Sequence, residues 1–246
     1  MKALILAAGY GTRLYPLTRE LPKPLLGVGG VSIIDHILVR LEKVKGLSDV
    51  VVVTNSKFYE RFLYWGKALR SKMTVTVLDD GTTSDDDRLG AIGDIGFSLR
   101  TAKITDDLLV VAGDNLFEFD LNAFARFGKA HGATVGVVEL GSRELATKYG
   151  VVALRDDGRI ASFDEKPPMP KSSLVSSGIY FYPRQQLARI EEYLATGQKA
   201  DAPGYLIEWL LRSQDVFGYV FKGMWFDIGD IESYNKANDI YYSQKE

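Results

Sequence analysis

The sequence predicts one α/β domain, a mainly parallel central sheet with helices on both faces, and three observations lead there. Apolar runs without polar alternation recur at residues 3–6, 50–54 and 108–112. Strands buried on both faces read this way. Between such runs lie segments with helical spacing of apolar residues, as in Ile34, Ile37, Leu38 and Leu41. A β-α-β alternation implies parallel pairing and covering helices. Finally, 246 residues, 46% of them hydrophobic, suffice for one large core.

The first run opens into Leu6-Ala7-Ala8-Gly9-Tyr10-Gly11-Thr12-Arg13. Gly9 and Gly11 are expected to take positive φ and bring bare backbone against a ligand, with amides facing anionic oxygens. Arg13 adds a planar donor fork, and Lys23, between Pro22 and Pro24, a second cation on a stiffened segment. A polyphosphate site is therefore expected. A dinucleotide fingerprint would need a third glycine where Leu14 stands, and Gly11-Thr12-Arg13 does not close a Walker loop. Taken alone, the glycines would equally serve an ordinary strand-to-helix turn.

Along the chain, Ser32 caps a helix expected over 33–45, in which His36 reads as a packing or surface residue. A helix at 58–69 and a strand at 74–78 follow, then a polar acidic loop at 79–88. The strand at 108–112 closes at Gly113-Asp114-Asn115, read as a turn through 117. A carboxylate there lies at the carboxyl end of a parallel strand, where open α/β sheets bind ligands, although Gly-Asp-Asn is also good turn chemistry. A helix at 121–131 ends at Gly132, with His131 favourably placed for the helix dipole. Strands are expected at 134–140, 150–154 and 160–163, with a hairpin turn at 156–159 and a charged turn at Asp164-Glu165-Lys166-Pro167. Helices at 185–193, 205–211 and 233–242 and a strand at 218–221 complete the list.

Leu-Ala-Ala-Gly-x-Gly-Thr-Arg-Leu-x-Pro-Leu-Thr followed by Leu-Pro-Lys-Pro-Leu resembles the signature of the sugar-phosphate nucleotidylyltransferases, or NDP-sugar pyrophosphorylases. Further elements of that family appear in order: Leu89-Gly90, Gly113-Asp114, Tyr149-Gly150-Val-Val, Glu165-Lys166-Pro167, a stretch at 174–182 that resembles the strand closing the sugar pocket, and Trp225-x-Asp227-Ile-Gly229. The resemblance implies a Rossmann-like, GT-A-like fold, with nucleotide bound mainly by residues 1–115 and sugar phosphate mainly by 116–246. It implies Mg2+ on Asp114 and Asp227, and a nucleotide site formed by residues 6–9, Gly11, Thr12, Arg13, Gly90 and Asp114. Lys23, Asn115, Tyr149, Gly150, Glu165, Lys166, Ser176, Ser177 and Trp225 would face the sugar phosphate. Arg13, Lys23, Asp114 and Asp227 would carry catalysis.

Relatives place a glutamine or glutamate upstream of Leu89-Gly90 to touch the base, and none aligns here. Thr83, Ser84 and Asp87 are the candidates instead. Asp230 also replaces a threonine of the family pattern. The implied substrates are an NTP (UTP, dTTP or CTP) and a sugar 1-phosphate. An aspartate at the base would suit a cytosine amino group or the guanine N1/N2 edge better than uracil O4.

A net charge of −2 argues against nucleic acid and anionic membranes as bulk partners, and the absence of cysteine excludes disulfides and thiolate chemistry. With strand pattern from the second residue and no long apolar run, a cytoplasmic protein is expected. A homo-oligomer is compatible with the sequence and not specified by it. Three other activities fit less of the pattern: cytidylyl transfer to a non-sugar phosphate or phosphonate, glycosyl transfer from an NDP-sugar, and nucleotide binding without turnover.

Overall fold

In the computed structural model, which describes residues 1–243, β1 (Lys2–Leu6) lies inside a nine-stranded mixed sheet. Ala3, Leu4 and Ile5 are fully enclosed, as a strand covered on both faces requires. A small hairpin, β2 (Gly27–Val28) and β3 (Val31–Ser32), leads into α1 (Ile33–Leu41), where Ser32 Oγ accepts from Asp35 N at 3.2 Å. Next come β4 (Asp49–Thr54), α2 (Tyr59–Ala68), β5 (Thr74–Asp79), α3 (Gly90–Thr101) and β6 (Leu108–Ala112). β4 and β6 flank β1 and β5 pairs with β4, all in parallel. The strand order thus reverses between β1 and β6. In open α/β sheets a crevice forms at the carboxyl ends of strands at such a switch.

The rest of the chain extends this sheet with antiparallel pairs and one parallel pair. It runs through β7 (Asn115–Phe117), α4 (Leu121–His131), β8 (Thr134–Glu139), α5 (Arg143–Ala146), β9 (Gly150–Leu154), β10 (Ile160–Glu165) and β11 (Leu174–Tyr182). Then follow α6 (Ala188–Ala195), α7 (Pro203–Leu210), β12 (Phe217–Val220), β13 (Trp225–Asp227) and α8 (Ile231–Ser243). β11 is antiparallel to β6 and forks to β8 and β9, with a register shift between Ser176 and Tyr180. Gly178, at φ 76, makes that shift, and a Cβ there would collide with Asn115 Nδ2. Alternate side chains of β1, β4 and β6 enter two hydrophobic clusters, which therefore occupy opposite faces of the sheet.

Several expectations need correction. α1 ends at Leu41, and 42–45 form turns before Gly46 at φ 76. Asn115–Phe117 is a strand, not a turn, because it pairs with β13. Asp164 and Glu165 belong to β10 and pair with β9. No helix among the described residues is long and apolar enough to cross a membrane.

Candidate active site

The crevice is built first by the loop after β1. Ala7 N donates to Val53 O at 2.9 Å, which carries the chain out of the sheet, and Thr18 Oγ1 donates to Gly11 O at 2.7 Å. Gly11 is left-handed at φ 63, whereas Gly9 is not, contrary to expectation. A Cβ at Gly9 would meet nothing within 4 Å, so the protein itself leaves room for one there. Leu6, Ala7, Ala8, Gly9, Gly11, Thr12 and Arg13 line a cleft of about 490 Å³ with Gly90 and Asp114. Gly113 permits the closeness of the two strand ends: its N donates to Leu6 O at 2.9 Å, and a Cβ would stand 2.6 Å from that oxygen.

Four charged groups meet at the floor. Lys23 Nζ, in the short 3-10 turn Lys23–Leu25, donates to Asp114 Oδ2 at 2.8 Å and to Ile228 O at 2.9 Å. β13 lies antiparallel to β7 with Asp227 opposite Asn115, and Ile228 N donates to Asp114 O at 3.0 Å. Asp114 and Asp227 are thereby neighbours across a two-stranded ribbon. Burial pushes the Asp227 carboxyl up, the charge of Asp114 pushes it further, and Lys23 and Arg13 offset part of the rise. A Cβ on Gly229 would lie 3.6 Å from Asp227 Oδ2 and 3.8 Å from Arg13 Nη1. Those two groups therefore flank one spot beside Gly229. Two carboxylates that repel one another in a half-buried place offer the hard oxygen donors that a divalent cation takes. No set of three or more acid or histidine side chains converges among the described residues, so such a cation would need phosphate oxygens or water besides.

A second cavity, of about 590 Å³, adjoins the first and shares Arg13, Asp114, Lys166 and Gly178 with it. Asn115, Tyr149, Gly150, Glu165, Ser176, Ser177 and Trp225 line it. Asn115 Nδ2 and Trp225 Nε1 both donate to Ser177 O, at 2.9 and 3.2 Å, which holds the wall in place. Asn115 Oδ1 is buried without a donor among the described residues, an acceptor suited to a ligand hydroxyl. Glu165 is largely enclosed against Gly150 and Gly204, and burial raises its carboxyl. Burial likewise drives Tyr149 up to about 12, so it stays a neutral hydroxyl.

The sequence pattern of a family described as "Nucleotidyl transferase" matches residues 2–244. This chain belongs to the nucleotidyl transferase family. Its relatives include the bifunctional protein GlmU of Methanocaldococcus jannaschii, 32% identical over 241 residues, covering 96% of this chain and 54% of that protein. The UTP–glucose-1-phosphate uridylyltransferase of Synechocystis sp. is 29% identical over 246 residues, covering 96% of this chain and 62% of that protein. The chain thus spans less than two thirds of the length of these curated relatives. The crystal structure of an apo UDP-glucose pyrophosphorylase superposes with a TM-score of 0.83 at 22% identity, covering 100% of this chain and 99% of that one, which supports the fold.

In this member of the family Thr83 and Asp87 line neither cavity. Asp87 turns into its own loop, accepting from Thr83 N at 3.0 Å and Ser84 N at 2.8 Å, and those bonds hold its carboxyl at about 2. Neither histidine lines a cavity: His36 Nε2 bonds Val28 O, and His131 stacks on Phe127. Residues not anticipated do line the site, notably Tyr10, Arg88, Asp94 and Asp201. Asp94 left a signal, a carboxylate within the apolar pattern of Ile92, Ile95 and Leu99. Asp201 left none, because its place depends on Ala200 O accepting from Ile92 N at 2.8 Å.

Proposed function

We propose that this chain transfers a nucleotidyl group from an NTP to a sugar 1-phosphate, releasing an NDP-sugar and pyrophosphate. The observation that carries the reading is the approach of Asp114, just before β7, to Asp227 at the end of β13, beside Lys23 and Arg13, where the two cavities meet. The first cavity takes the nucleoside triphosphate and the second the sugar.

An oxygen of the sugar phosphate forms a bond to the α-phosphorus as the bond to the bridging oxygen breaks, and pyrophosphate leaves with that electron pair. The attacking oxygen is already ionised near neutral pH, so no general base is required. Repulsion between two anions is the obstacle, and positioning with charge neutralisation is the remedy. Lys23 has three N–H donors, of which two hold Asp114 and Ile228 O, leaving the third for the attacking phosphate. Arg13 steadies the leaving pyrophosphate. Mg2+ held by Asp114 and Asp227 would supply the remaining neutralisation of phosphate oxygens. Glu165 and Asn115 accept sugar hydroxyls, and Lys166, at φ 48 on the edge of both cavities, reaches the sugar phosphate.

A pyrophosphate-release screen of five NTPs against glucose, mannose and N-acetylglucosamine 1-phosphates, with and without Mg2+, tests this. At least one pair should turn over, and only with the metal. Asp114→Ala and Asp227→Ala should each lower the rate at least about a thousandfold with native circular dichroism. Full activity in either variant removes its assignment, and silence of every pair removes the reaction.

A further inference from the structure

We propose that Asp94, backed by Asp80, selects the base of the bound nucleotide by accepting one of its N–H groups. A base with an exocyclic amino group, cytosine, adenine or guanine, is thereby preferred to uracil or thymine. The proposal rests on the first cavity being the NTP site.

Asp94 projects from α3 and is only 6% exposed, yet it lines the cleft beside Gly90, Ala91 and Tyr10. It makes no ion pair among the described residues. Instead it meets a second carboxyl. Asp94 Oδ1 and Asp80 Oδ2 are both buried without an N–H or O–H donor among the described residues, and the two carboxyls lie close enough for Asp80 to act on Asp94. Two buried carboxyls side by side repel one another when both are ionised, so they hold a single proton between them. Burial and the charge of Asp80 raise Asp94 to about 8, with no cation to offset them, which keeps that proton in place at neutral pH.

The rest of the cluster is already satisfied. Asp80 Oδ1 accepts from Thr82 N and Thr82 Oγ1, both at 2.7 Å, and Tyr10 OH donates to Thr82 Oγ1 at 3.2 Å. Asp94 Oδ2 has no protein donor among the described residues and, with the shared proton committed to Asp80, can only accept. Phosphate is unsuited to this wall. The pair carries a net negative charge, Arg88 is held by Asp85 at 2.7 Å, and Arg13 and Lys23 gather at the floor with Asp114 and Asp227. The uncharged base therefore lies here. An amino group complements the acceptor, whereas a uracil or thymine carbonyl faces it lone pair to lone pair.

Calorimetric titration of CTP, GTP, ATP, UTP and dTTP with Mg2+ into the intact protein needs no knowledge of the sugar. At least one amino-base nucleotide should bind tenfold or more tighter than UTP and dTTP. Asp94→Ala should bring those affinities within about threefold of each other. Asp94→Asn, whose amide N–H replaces the shared proton and whose oxygen still accepts, should keep the preference. Tightest binding of UTP or dTTP by the unsubstituted protein overturns the proposal whatever the variants do, as does an unchanged preference in Asp94→Ala. Failure of every NTP to bind overturns the reading of the cleft itself.

Discussion

Lys23 is held by two acceptors from distant parts of the chain, Asp114 Oδ2 and Ile228 O. Removing its ammonium leaves the two aspartates facing each other without their nearest counter-charge. Lys23→Met, which keeps the stem, should lower kcat and raise the KM for the sugar phosphate, a combined loss of about a hundredfold or more in kcat/KM. Unchanged kcat/KM would show that Lys23 only supports structure. Asp94 makes a different prediction, about stability. Its folded pKa of about 8 lies above the ordinary carboxylate value of 3.8, so the folded chain keeps a proton that the unfolded chain gives up. Its contribution is complete below about pH 4 and is lost as pH rises toward 8, at up to about 1.4 kcal/mol per pH unit. Urea midpoints should therefore fall more between pH 5 and pH 8 for the unsubstituted protein than for Asp94→Asn. Equal falls would mean that Asp94 is already ionised at neutral pH. Arg13, Lys23 and Asp114 were legible as charges set against glycines and a strand end, and Asp227 only through the family pattern. Asp94 was not, because its role depends on Asp80, and Asp87 misled because a local turn consumes it.

At the scale of elements, long periodic segments declared themselves. The strand Leu108–Ala112 and the helix Leu121–His131 appear where an unbroken apolar run and the stop at Gly132 put them, and the strand Leu174–Tyr182 where the family pattern put it. Two- and three-residue strands have no period to read. β7 and β13 exist only because each supplies the other's partner, although they lie far apart in the chain, and this ribbon is what joins the two aspartates. Helix glycines show the same dependence on context. Gly66, in α2, has open space where a Cβ would go, so Gly66→Ala should stabilise by up to about 1 kcal/mol through helix propensity. Gly128, in α4, lies against the ring of Phe181 from β11, and a Cβ would overlap that ring. Gly128→Ala should therefore destabilise by about 1–3 kcal/mol despite the same gain in propensity. Thermal or urea unfolding of the pair separates the two effects, and stabilisation by both substitutions would deny the close α4–β11 contact.

At the scale of the whole molecule, the proposed division into a nucleotide part over 1–115 and a sugar part over 116–246 concerns ligands, and the packing does not follow it. β11 continues the sheet directly from β6, and each hydrophobic cluster draws on both parts: one joins Ala3 and Val111 to Phe181 and Ala237, the other Leu4 and Val110 to Tyr182 and Val216. Neither part can bury its face of the sheet without the other. Unfolding should then be a single event even in a chain longer than those that usually behave so simply. The tryptophans provide the test, since Trp65 packs on one cluster from the first part and Trp209 on the other cluster from the second. Two variants, each keeping one of these and with phenylalanine at the other two tryptophan positions, should give the same urea midpoint by fluorescence, coincident with circular dichroism. A nucleotide that binds the shared wall of the cavities should raise both midpoints together, because it stabilises only the state in which both parts are folded. Midpoints differing by more than about 0.3 M, or a nucleotide that shifts one probe alone, would show the two parts to be separate cooperative units. The seam between β6 and β11 would then join domains rather than run through the middle of one.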